Sequence, residues 1–193
     1  MTPKGVYVPD MRRLSLQATA YHEAGHALSA VVHRLRFSAV WILQRKETDT
    51  FPAGTIIGQV RRTEDVHKPS YKGRLDDAKV EAVQAMAGPV AECLPFPGMQ
   101  PNWVLNESDM KEAVSFLKFA LLPFTLSENG ADFAEEDVKR AAGQINSLLQ
   151  ECYERSVALV SGNMPAIDRV AQALLARWSL TEDEVRILIS RPQ

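Results

Sequence analysis

The sequence predicts an α+β domain, mainly α-helical, on three observations. Long stretches carry apolar residues at three- and four-residue spacing, the period of a helix with one buried face. Two short runs rich in β-branched and aromatic residues lie close together in the first third. A His-Glu-x-x-His pentad, His22-Glu23-Ala24-Gly25-His26, sits inside the first helical stretch. The expected architecture is a helix bearing that pentad, a small antiparallel β-sheet or hairpin, and a C-terminal helical bundle. The 193 residues suit one domain, expected over 15–193, after an irregular lead-in over 1–14.

Taken in order, Ser15 is a candidate N-cap for a first helix over 15–35, with Leu16, Ala20, Ala24, Ala27, Leu28, Val31 and Val32 as its apolar positions. Residues 38–44 read as a strand, 47–54 as a polar turn containing Pro52, and 55–60 as a second strand. Either strand is a candidate to receive an extended peptide along its edge. Arg61 to Arg74 reads as an exposed loop. A helix starts at Asp76 or Asp77, with Val80, Val83, Ala87, Val90 and Ala91 at helical spacing. Gly88-Pro89 is expected to kink or break it, because proline lacks the helical N–H and clashes with the preceding turn. Leu94 to Trp103 is a proline-rich loop, and Asn106-Glu107-Ser108 leads into a helix ended by Pro123. The closing helices span about 132–190: a long one over 134–160 broken at Gly162-Asn163, another over 165–178, and a short one opened by the capping box Thr181-x-x-Glu184.

Composition removes several function classes. With 22 basic and 24 acidic residues, a net charge of -2 and a pI near 6.1, nucleic acid is not an expected partner. No apolar run reaches the roughly 18 residues of a membrane span, and the N-terminus lacks the apolar core of a signal peptide. Cys93 and Cys152 are too few for a disulfide framework and fit a reducing compartment, so a cytoplasmic location is expected. The chain contains no G-x-x-x-x-G-K-[ST] phosphate loop.

The pentad carries the chemistry. Residues four apart lie on one helix face, so His22 and His26 can aim imidazole nitrogens at one ion. Glu23 stands where a carboxylate takes a proton from a water on that ion. Chance occurrence on a helix is the competing explanation, but the chain has only four His and two are in the motif. Gly25 lowers helix stability, which suits a close approach to the backbone by a metal or substrate. A third ligand is needed. The pattern H-E-x-x-H-x-x-G-x-x-H is excluded, because Ser29 and Val32 hold its glycine and last histidine positions. His33 lies about two turns from His26 and reads as surface or packing, and His67 as loop. A carboxylate from elsewhere remains, with Asp109 and Glu92 as candidates. The two cysteines read as buried thiols in helical surroundings.

Four segments, in this order, resemble the peptidase domain of the FtsH-type AAA+ metalloproteases: Ala20-Tyr21-His22-Glu23-Ala24-Gly25-His26-Ala27-Leu28, the strand pair, Met86-Ala87-Gly88-Pro89-Val90-Ala91-Glu92, and Asn106-Glu107-Ser108-Asp109. That family's zinc helix reads A-x-H-E-A-G-H-A, a later helix G-G-R-x-A-E-E, and a loop ending in N-D supplies an aspartate ligand. The resemblance covers roughly residues 16–190. It implies a zincin-like fold with one Zn2+ per chain held by His22, His26 and Asp109, Glu23 as general base, and Glu92 orienting His22 or His26 from behind. Three departures stand out: Pro89 where a basic residue is usual, Cys93 where a second Glu is usual, and no ATPase module or membrane segment within this sequence.

The expected activity is zinc-dependent, ATP-independent endopeptidase hydrolysis of unfolded or flexible protein segments. The alternatives are a catalytically silent zinc-stabilised binding or adaptor module, and a peptidase subunit that works with a separate ATPase or as a homo-oligomer.

Overall fold

The computed structural model describes residues 11–44, 56–62, 74–121 other than 97, 104 and 105, and 135–191. The elements run α1 (Met11–Val32), β1 (Phe37–Gln44), β2 (Ile56–Arg62), α2 (Leu75–Glu92), α3 (Glu107–Leu121), α4 (Glu135–Gly162), α5 (Met164–Arg177), β3 (Ser179–Thr181) and α6 (Glu182–Ser190). The mainly helical α+β class stands, with a closing set of three helices and one antiparallel sheet of order β2-β1-β3 among the described residues. The turn at 47–54, most of the loop at 61–74, and Pro123 lie outside the described residues.

α1 is the hub. Its inner face places Ala20, Ala24, Ala27 and Leu28 out of contact with water, at the spacing the sequence predicts. It starts at Met11 rather than at Ser15, because Met11-Arg12-Arg13-Leu14 are all good helix formers and nothing in them stops the helix. It ends at Val32 rather than 35. Arg34 adopts a left-handed φ of 58°, and the Arg34 and Leu35 amides donate to the Val31 and Ala30 carbonyls at 3.2 and 2.8 Å. This is a Schellman closure, which satisfies the last carbonyls and turns the chain toward β1.

In β1 the period-2 rule holds: Val40 and Ile42 are buried while Leu43 points to solvent. Val40 stands opposite Val60 of β2 on one side and Leu180 of β3 on the other. β1 is therefore the central strand, and the expectation that its Val40–Leu43 stretch receives a peptide fails, since both edges are occupied. β3 is too short to read from sequence; it is three residues set between the left-handed Trp178 and the start of α6. The Thr181/Glu184 capping box is present: Glu184 N–H donates to Thr181 Oγ1 at 3.4 Å and Thr181 N–H to Glu184 Oε2 at 2.8 Å.

α2 runs unbroken through Gly88-Pro89 to Glu92, so of the expected kink or break, the break does not occur. Pro89 falls in the last turn, and the whole stretch from Ala85 to Ala91 is buried, so packing outweighs the one helical hydrogen bond that proline cannot make. α2 joins two apolar clusters. Its C-terminal half (Ala87, Val90, Ala91) packs against α1 and joins the apolar cluster that α1 shares with the sheet, α5 and α6. Its N-terminal half (Ala78, Ala82, Val83, Met86) packs with Phe116 and Leu117 of α3 and Cys152 of α4. Cross-links reinforce both. The Tyr21 hydroxyl donates to Asp168 of α5, and Lys79 Nζ lies 2.8 Å from Glu151 of α4.

The contact between α1 and α2 depends on Gly25. A Cβ at that position would lie 2.4 Å from the Ala87 carbonyl oxygen and 2.5 Å from the Ala91 methyl. The close approach expected at Gly25 is therefore made by a neighbouring helix, not by a metal or substrate. Gly25→Ala is expected to destabilise the chain by about 1–3 kcal/mol through overpacking against backbone. Gly143→Ala serves as the contrast: its Cβ would meet nothing within 4 Å, so helix propensity alone acts and stability should rise by about 0.5–1 kcal/mol. Urea unfolding of the two variants checks both signs.

Candidate metal centre

The α1–α2 contact sets the histidines. His22 and His26 lie one turn apart on the face of α1 that meets α2, with Nε2 atoms 3.0 Å from each other and rings edge to face at 4.7 Å between centroids. Gly88 makes room for the second ring, since a Cβ there would stand 2.3 Å from His26 Nε2. Asp109 reaches the same point from the first turn of α3, with Oδ2 3.4 Å from His22 Nε2 and Oδ1 3.5 Å from His26 Nε2. Among the described residues, His22, His26 and Asp109 form the one group whose ligand atoms all fall within 4.8 Å of one another and suit a metal ion.

The backs of both rings are fixed. His26 Nδ1 is 2.8 Å from the Gln84 carbonyl oxygen, which can only accept, so Nδ1 carries the proton. His22 Nδ1 is 3.1 Å from Glu92 Oε2. Burial opposes the charge on Glu92, but hydrogen bonds from His22 and Asn106 hold its carboxyl below the ordinary value, so it too is an acceptor. Both imidazoles thereby turn Nε2 toward the shared point. Glu92 meets His22 from behind and stands outside the ligand group; of the two carboxylate candidates, only Asp109 faces Nε2.

The donor set fits zinc. Neighbouring ligand atoms of a tetrahedral site with arms of about 2.1 Å lie roughly 3.4 Å apart, which matches both histidine–aspartate separations. Two nitrogens and one carboxylate also leave an open position, the arrangement of catalytic rather than structural zinc. A further observation points the same way. Glu23 is buried at 5% exposure, and its Oε2 has no hydrogen-bond partner. Burial raises its pKa above the usual carboxylate value, although the charges of His22 and His26 pull it down. An unpartnered buried carboxylate oxygen thus stands beside three convergent side chains that could hold a metal ion.

Burial disfavours the His22 imidazolium, yet the Asp109 and Glu92 carboxylates more than offset this and raise its pKa to about 10. The same contacts lower Asp109 against the effect of its own burial.

The other sequence candidates fall elsewhere. His33 Nδ1 lies 3.0 Å from the Ser29 carbonyl, just past the far end of α1 and outside the metal-site group. His67 lies outside the described residues. Cys93 Sγ is 3.5 Å from the Pro89 carbonyl, and the buried Cys152 Sγ is 3.8 Å from the Lys79 carbonyl; both thiols are free. Sequence reasoning missed the Gln84 carbonyl, which carries no residue signature, and the steric role of Gly88, which its place beside Pro89 obscured.

A zinc ion must displace the His22 proton. The sign is fixed: affinity rises with pH as long as that proton is bound in the metal-free chain. We expect zinc affinity to rise about tenfold per pH unit between about pH 6 and 8, measured by competition with a chromophoric chelator. A flat profile would mean that no proton is displaced.

No protein-family model matches the chain. Curated proteins do. It is 30% identical over 192 residues to the ATP-dependent zinc metalloprotease FtsH of Thermus thermophilus, covering 89% of this chain and 28% of that protein. It is 23% identical to the FtsH of Acidobacterium capsulatum, over 90% of this chain and 28% of that protein. With the ATP-dependent zinc metalloprotease FTSH 11, chloroplastic/mitochondrial, of Arabidopsis thaliana it shares 26% identity over 93% of this chain and 22% of that protein. The chain thus spans between 22 and 28% of the length of these relatives. Along nearly all of its own length, the chain is a homologue of the FtsH-type zinc metalloproteases.

Proposed function

We propose that the chain is a zinc-dependent metalloendopeptidase that hydrolyses peptide bonds in unfolded or flexible protein segments, and that its hydrolysis needs no ATP. One observation carries the reading: two Nε2 atoms and the Asp109 carboxylate converge on a point beside the buried, unpartnered Glu23 Oε2. The relatives' zinc metalloprotease names support it. ATP-independence is proposed from the absence of a phosphate-loop motif in these 193 residues and from the chemistry of hydrolysis, which consumes only water.

His22, His26 and Asp109 would hold the ion. When bound, zinc supplies Lewis acidity for a peptide carbonyl and for a water molecule. Glu23 accepts a proton from the attacking water as oxygen bonds to the carbonyl carbon. It returns that proton to the leaving nitrogen as the C–N bond breaks, giving a carboxylic acid and an amine. A pKa raised by burial suits a group that must take a proton and give it back. Glu92 and the Gln84 carbonyl hold the imidazoles in the tautomer that binds metal. Among the described residues β2 is an edge strand of the sheet, and it packs beside α1, so its outer edge is the candidate for pairing with an extended substrate.

The test is casein or peptide-library cleavage without nucleotide, for the wild type and Glu23→Gln. The expected result is a loss of about 10²–10⁴-fold in kcat, with one zinc per chain retained. Equal turnover in both proteins sinks the catalytic role. A zinc-loaded wild type that cuts nothing would favour the binding-module alternative.

A further inference from the structure

One buried side chain beside the site has no role in the chemistry above. Asn106 is 8% exposed and immediately precedes α3. Its Nδ2 lies 3.2 Å from Glu92 Oε2 and 3.1 Å from the Asn102 carbonyl oxygen. A carboxylate held in its charged form and a carbonyl oxygen both accept only. The amide therefore faces them with NH2, and its two hydrogens are committed to these two partners.

The oxygen that Asn106 holds is the one that holds His22. Glu92 Oε2 accepts from His22 Nδ1 at 3.1 Å and from Asn106 Nδ2 at 3.2 Å. The backbone of Asn106 bears on the other side of the site. Its carbonyl accepts the Met110 amide at 3.2 Å, closing the first turn of α3, and Asp109 projects from that turn. One residue thus touches the support of a histidine ligand with its side chain and the turn carrying the carboxylate ligand with its backbone. The two halves of the ligand group come from α1 and α3, which are 70 or more residues apart in sequence; His22 and Asp109, for example, are 87 positions apart. Something must set their separation, and the chain of hydrogen bonds Asn106–Glu92–His22 runs from the start of α3, through the end of α2, to α1.

We propose that Asn106 is a positioning residue for the metal centre: through Glu92 it orients His22, and it fixes the start of α3 so that Asp109 meets the two histidines. This rests on the zinc reading above. The residue type matters, because aspartate has nearly the same shape and can serve a helix start equally well. Aspartate, however, removes the donor and sets a carboxylate against Glu92 Oε2.

The experiment is zinc affinity of the full 193-residue chain by chelator competition, for the wild type, Asn106→Ala and Asn106→Asp, with thermal melting of the metal-free proteins alongside. Both variants are expected to bind zinc about 10–100-fold more weakly, with Asn106→Asp at least as weak as Asn106→Ala. The metal-free Asn106→Asp protein should keep a cooperative melt. Wild-type zinc affinity in either variant overturns the proposal, whatever happens to activity or melting temperature. A wild-type chain that takes up no zinc removes the zinc reading and this inference together. A zinc-binding wild type with equally tight variants removes this inference alone.

Discussion

Where α1 crosses α2, neither helix has space for a side chain beyond hydrogen at the two closest positions. A methyl on Gly25 would collide with the Ala87 carbonyl, and a methyl on Gly88 would occupy the place of the His26 ring. The crossing joins packing to chemistry. It brings the α2 backbone near enough for the Gln84 carbonyl to hold His26 Nδ1 and for Glu92 to reach His22 Nδ1. Alanine flanks both glycines, at Ala24, Ala27, Ala87 and Ala91, all buried. Small side chains allow backbone-to-backbone proximity at little cost in buried apolar area, and the larger residues of both clusters, Leu28, Phe37, Phe116 and Leu117, pack around the crossing.

The electrostatics of the centre follow from that packing. Two imidazoles and three carboxylates sit together, buried or half-buried. In that environment Asp109 and Glu92 are held charged by the histidines, while burial pushes Glu23, whose Oε2 has no hydrogen-bond partner, the other way. Neighbouring carboxylates with opposed pKa shifts are a recurrent sign of divided roles. The group that stays charged is fit to hold a cation, and the group raised by burial is fit to exchange a proton.

The remaining helices are cross-linked to this crossing. α5 is tied to α1 through Asp168 and the Tyr21 hydroxyl, one residue from the first histidine. α4 is tied to α2 through the Lys79–Glu151 pair and through Ser156 Oγ, 3.1 Å from the Val83 carbonyl. α6 returns to the sheet, where Glu182 accepts from the Phe37 amide at 3.3 Å and pairs with Arg36 and Arg186. The closing helices therefore clamp both helices of the crossing from outside.

The sequence alone determined whatever rests on local geometry. The i, i+4 spacing of His22 and His26 fixes a shared direction on any α-helix, so two convergent imidazoles and their neighbouring carboxylate were legible without a fold. The same holds for the apolar stripes and the Thr181/Glu184 box, whose partners lie within one turn. Features with distant partners were decided only by tertiary structure. Residue chemistry left Asp109 and Glu92 both open and the resemblance favoured Asp109, but only the fold sets one before Nε2 and the other behind the ring. Proline at 89 argued for a broken helix, yet α2 is continuous because burial along its last turns outweighs one lost hydrogen bond. β3 and the central place of β1 were invisible, since three residues carry no period and strand order depends on chain return. Gly25 signalled a close approach but not by what, for a glycine records only the space that its missing side chain leaves.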